Sequence, residues 1–111
     1  MTKVEVHSIE EWENYFQSDK LIATYKHSTR CGVSSMAWSR LERSWDSNMT
    51  LLFVDLIRYR ELSNHIAEVT GVRHESPQLI ISSNRNVLDH TSHMAINGQW
   101  VSQVEKSALQ H

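Results

Sequence analysis

The chain has 111 residues, of which 40% are hydrophobic and 22% charged, with a formal net charge of −2. That balance describes one globular domain spanning residues 1–111, able to bury a core without metal or disulfide staples. It excludes a disordered segment, and the slightly acidic charge argues against nucleic acid or an anionic membrane as a partner, since both call for a basic surface.

With Cys31 as the single cysteine, no internal disulfide can form, which excludes an extracellular disulfide scaffold. Met1-Thr2-Lys3-Val4-Glu5-Val6 has no long apolar run and carries an early acid, unlike a secretory leader. The longest apolar region, Leu51 to Val54 with Leu56 and Ile57, is interrupted by Asp55. It falls short of the roughly 18 apolar residues a spanning helix needs. A cytoplasmic monomer is expected.

Lys3 to His7 alternates in part and predicts a first strand. Ser8 with Glu11 three residues on forms a capping-box pattern. Ile9, Trp12 and Phe16 then mark one face of a helix ending near Ser18. Lys20 to Lys26 reads as a second strand. From Cys31 to Trp45, Val33, Ala37 and Leu41 recur at helical spacing, widened by Trp38 and Trp45. Thr50 to Ile57 is nearly continuous in apolar residues, as in a central strand buried on both faces. Glu61 to Val69 predicts a helix with Leu62, Ile66 and Val69 on one face and Gly71 as its C-terminal cap.

After Pro77, Gln78 to Ser82 reads as a strand, Ser83 to Asn86 as a turn and Val87 to Thr91 as an antiparallel return. A last helix starts at Asn97 or just after, packing through Trp100, Val104 and Ala108 with Val101 beside them. The order is βαβαβαββα. Strands alternating with helices predict crossover units and a largely parallel sheet covered on both faces, with the terminal hairpin as its antiparallel edge.

Cys31 follows a strand and opens a helix. A thiolate there would meet unsatisfied backbone N–H groups and the positive end of the helix dipole. Both lower a thiol pKa, and the thiolate is the form that attacks sulfur. Arg30 adjoins the cysteine, and His27 is a further source of positive potential. The competing reading is an inert buried cysteine, a common fate of a free thiol. Ser34 stands where a Cys-x-x-Cys motif would carry its second cysteine. Its hydroxyl can donate a hydrogen bond to a thiolate but cannot resolve a mixed disulfide, so release must come from an outside thiol. Equally, Ser34 fits as a small residue tolerated in a first helical turn.

Pro77 opens an apolar strand after Glu75-Ser76, and on frequency alone its peptide bond is trans. The βαβαβαββα pattern is, however, similar to a thioredoxin-type fold with a central mixed β-sheet flanked by helices. That resemblance implies a cis bond at Pro77, facing the cysteine. Lys26-His27-Ser28-Thr29-Arg30-Cys31-Gly32-Val33-Ser34, with Glu75-Ser76-Pro77-Gln78 and Thr91-Ser92-His93 downstream, resembles the YtxJ-like family of monothiol bacilliredoxins over nearly the whole chain.

Lys26, His27, Ser28, Cys31 and Ser34 fall on that family's pattern Lys-His-Ser-x-x-Cys-Pro-x-Ser, and Gly32 replaces its proline. The resemblance implies an oxidoreductase that removes bacillithiol from bacillithiolated cytosolic proteins. Cys31, Ser34 and Pro77 would be its catalytic residues, and His27, Arg30, Gly32, Val33 and Ser76 would line the small-thiol site. Bacillithiol would be a co-substrate rather than a tightly bound cofactor.

Gly32 also makes the string resemble the Cys-Gly-Phe-Ser motif of monothiol glutaredoxins, which carry a [2Fe–2S] cluster. Val33 replaces the phenylalanine, and Ser82 to Asn86 lacks the glycine pair that holds glutathione. Besides a cluster carrier, the remaining alternative is a non-catalytic interaction module on the same scaffold.

The four tryptophans lie on or beside apolar helix faces and read as core, with Trp38 also a candidate for the rim of a thiol groove. His90 and His93 form no metal-ligand pattern, so no metal site is expected. His93 matches the family's Ser-His pair, with capping, packing and catalysis all open. Asp55 either sits behind the cysteine to help proton transfer or stands at the end of its strand facing solvent.

Overall fold

The computed structural model describes residues 1–30 and 32–109. Five strands and four helices alternate as β1 (Thr2–Glu5), α1 (Ile9–Phe16), β2 (Ile22–His27), α2 (Gly32–Ser44), β3 (Thr50–Asp55), α3 (Arg60–Thr70), β4 (Gln78–Ser83), β5 (Asn86–Ser92) and α4 (Gly98–Leu109). A 3-10 turn, His93–Ala95, joins β5 to α4. The strands form one sheet in the order β1-β3-β2-β4-β5.

β2 and β1 both run parallel to β3, while β4 runs antiparallel to β2 and to β5. The expected mixed sheet is therefore present. It is less parallel than the strand–helix alternation suggests, because the chain re-enters the sheet at β4 in the opposite direction.

Alternation along β2 sorts its side chains between two cores. Ile22 joins a cluster with Trp12 and Phe16 of α1 and Leu62 and Ile66 of α3. Ala23 and Tyr25 join the other, with Leu41 of α2 and Val101 and Val104 of α4. All six residues of β2 are buried, as a strand in the middle of a covered sheet must be.

Local signals end the elements much as the sequence predicts. The Ser8 hydroxyl accepts the Glu11 amide at 3.1 Å, and Gly71 closes α3 in the left-handed region at φ 71°. The β4–β5 turn adopts that region at Asn84 and Arg85, without a glycine. Their amides are held by the Ser18 and Phe16 carbonyls at 2.7 and 3.0 Å. Two expected helix faces hold at Ala37 and Leu41 and at Val101 and Val104 but differ at their first positions. In α2 the buried stripe is Ser34, Ala37 and Leu41, with Val33 45% exposed. In α4 it is Gly98, Val101 and Val104, with Trp100 only partly covered.

Candidate active site

Three segments meet where β2 ends. The loop after β2 carries Ser28 and Arg30; Gly32, directly after Cys31 in the chain, opens α2; and the approach to β4 carries Ser76 and Pro77. Cys31 itself lies outside the described residues. The peptide bond between Ser76 and Pro77 is cis, as the resemblance implies.

Ser34 joins the three segments. It is fully buried, and its hydroxyl accepts the Ser28 amide at 3.4 Å and meets the Ser76 hydroxyl at 3.4 Å. Its carbonyl accepts from the Tyr25 hydroxyl at 3.1 Å. Ser34 is thus more than a small residue tolerated in a helical turn: it ties the β2–α2 loop to the cis-proline segment. Tyr25 is a site-building residue that the sequence does not single out, because it reads there only as one more strand aromatic.

The remaining small-thiol candidates differ in what they offer. Gly32 and Val33 are exposed at the start of α2, and a Cβ on Gly32 would meet nothing within 4 Å. Arg30 is exposed in the loop. His27 corrects an expectation, because burial, more than any neighbouring charge, pushes its pKa down. At neutral pH it is therefore uncharged and adds no positive potential. Its ring packs at 5.0 Å from Phe53 and 6.0 Å from Tyr25, as part of an aromatic wall.

Trp38 belongs to that same wall, 5.2 Å from Tyr25 and 5.0 Å from Phe53, beneath the Lys3 ammonium. Asp55 is half-buried at the end of β3, where its Oδ1 accepts the Ile57 and Arg58 amides at 3.2 and 3.3 Å. His93 lies beside the cis-proline, its amide donating to the Pro77 carbonyl at 3.1 Å. Its φ is 55°, and its carbonyl is braced by Arg40 at 3.2 Å. Among the described residues no three metal-ligating side chains gather.

A helix N-terminus beside a cis-proline, in a chain with one cysteine, defines a thioredoxin-fold thiol–disulfide oxidoreductase of the monothiol class. The chain superposes on a solved structure described as a proposed oxidoreductase with a thioredoxin fold. The TM-score is 0.85 at 28% identity, covering 94% of each chain. Thioredoxin from Trypanosoma brucei brucei matches with a TM-score of 0.78 at 18% identity, over 99% of this chain and 93% of that one. Fasciola hepatica thioredoxin matches with a TM-score of 0.71 at 13% identity, over 96% and 98%; at such identities these two show the fold alone. Residues 4–101 match the family model for monothiol bacilliredoxin BrxC, and the chain belongs to that family.

Proposed function

We propose that Cys31 removes bacillithiol from bacillithiolated cytoplasmic proteins, with Ser34 and Pro77 shaping its site. The observation that supports this reading is the serine lock. The position where a dithiol motif keeps its resolving sulfur holds a buried hydroxyl bonded to Ser28 and facing Ser76.

In the reaction, the Cys31 thiolate attacks the bacillithiol sulfur of the mixed disulfide. A Cys31–bacillithiol bond forms, the protein–bacillithiol bond breaks, and the protein thiolate leaves with the electron pair and takes a proton from water. A second bacillithiol thiolate then attacks the adduct, releasing bacillithiol disulfide and the Cys31 thiolate. The start of α2 supports the thiolate through the amides of Gly32 and Val33 and the helix dipole. Arg30 adds positive charge, His27 an uncharged wall, and Ser76 one edge of the small-thiol groove.

An alkylation-rate pH profile tests nucleophile activation. Cys31 is expected to titrate at about 6–7, below the roughly 8.5 of a free thiol. Cys31→Ser should abolish exchange and leave the fold intact. A thiol that titrates above about 8.5 contradicts the reading and favours an inert scaffold.

A further inference from the structure

Lys26 lies on the α3 side of β2 and is fully buried, yet no described carboxylate pairs with it. Its ammonium donates to the Ser63 carbonyl at 3.0 Å and meets His74 Nδ1 at 3.2 Å. The Ser63 hydroxyl reaches the same nitrogen at 3.4 Å. An ammonium has only donors, so Nδ1 accepts and the His74 ring is neutral, with its hydrogen on Nε2. Burial, followed by the charges of Lys26 and Arg60, pushes the His74 pKa down, against an opposing effect of Glu75.

His74 sits in the irregular stretch 71–77 that links α3 to β4 and carries Ser76 and cis-Pro77. A second, part-buried tie, from Gln78 Nε2 to the Arg73 carbonyl at 2.8 Å, holds the same stretch. The Ser76 main chain forms no hydrogen bond with the described residues; its side chain meets Ser34 and the Pro77 carbonyl accepts from His93, so the His74 and Gln78 ties are what hold the stretch before it. A buried ammonium without a counter-ion is costly, and an apolar side chain of similar length would extend the neighbouring core instead. The charge stands where packing alone would not put it.

We propose that Lys26 is a positioning residue for thiol exchange: acting through His74, its ammonium fixes the 71–77 segment so that Ser76 and Pro77 hold the arriving disulfide in one geometry. This rests on the exchange reading above.

Lys26→Met keeps the length of the side chain and removes the donor, while His74→Phe removes the acceptor and keeps a ring. Each should raise KM for a bacillithiolated protein about 10-fold with kcat changed less than about 2-fold, the mark of a hold on the substrate that is lost equally from the bound state and the transition state. The double variant should go no further than either single one, because both cut one link. In both single variants the amides of residues 73–76 should exchange with solvent about 10-fold faster, while those of β2 and β3 stay protected.

Unchanged exchange at 73–76 overturns the proposal. So does uniform acceleration that includes the central strands, because Lys26 then serves the fold alone, and so do KM effects that multiply in the double variant. If wild-type Cys31 takes up no bacillithiol, the exchange reading fails separately, and hydrogen exchange still decides whether Lys26 pins the segment.

Discussion

Burial pulls the Lys26 ammonium from its ordinary 10.5 down to about 8. The unfolded chain then holds a proton at this residue up to about pH 10.5 that the folded chain has already released, so stability rises with pH across that window. The shift corresponds to a cost of order 3 kcal/mol at neutral pH, where the buried lysine is charged. Urea midpoints of the wild type should climb between pH 8 and 10, and those of Lys26→Met should stay flatter and begin higher. Equal slopes in the two proteins would contradict this. At the same scale, Ser34 was visible in the sequence as a missing second cysteine. Its lock on Ser28 and Ser76 was not, because hydrogen bonds between residues 42 apart leave no local pattern.

Between elements, the end of α2 closes directly on the start of α4. A Cβ on Gly98 would lie 1.8 Å from the Ser44 carbonyl oxygen, and the Gly98 amide donates to the Ser44 hydroxyl at 2.8 Å. Backbone cannot yield there as a flexible side chain could, so Gly98→Ala should cost at least about 1–3 kcal/mol, measured by denaturant unfolding. Gly32→Ala, with open space around its Cβ, should instead stabilise by about 0.4–1 kcal/mol.

Element existence was legible throughout, because apolar period, the Ser8 cap and the Gly71 cap agree in type and place. The first buried positions of α2 and α4 were not. Val33 and Trp100 are the more apolar residues, but the Tyr25 hydroxyl donates to the Ser34 carbonyl, and Gly98 is set against Ser44. Partners distant in sequence decide which side of each helix is buried.

At the scale of the whole molecule, Glu13 of α1 gathers His65 of α3 at 2.7 Å and Arg85 of the β4–β5 turn at 2.5 Å. The hydrogen bond from His65, then that from Arg85, holds its carboxyl below the ordinary 4.5. Its contribution is therefore present above pH 4.5 and lost as the pH falls through the depressed value. Acid unfolding of Glu13→Gln should show a shallower loss of stability below pH 4.5 than the wild type, and an identical acid limb would contradict this. The strand–helix order made the topology readable, whereas the antiparallel re-entry at β4 depends on sheet pairing that no short window encodes.

The exchange chemistry turns on one thiol working without an internal resolving partner. Intact-mass analysis of the reduced protein after incubation with a bacillithiolated substrate tests it most directly. The chain should gain the mass of one bacillithiol on Cys31, accumulate in that form, and return to its reduced mass only when free bacillithiol is added; Ser34→Cys should lessen the accumulation. A wild-type mass that never changes, or an adduct that clears with no added thiol, would contradict it.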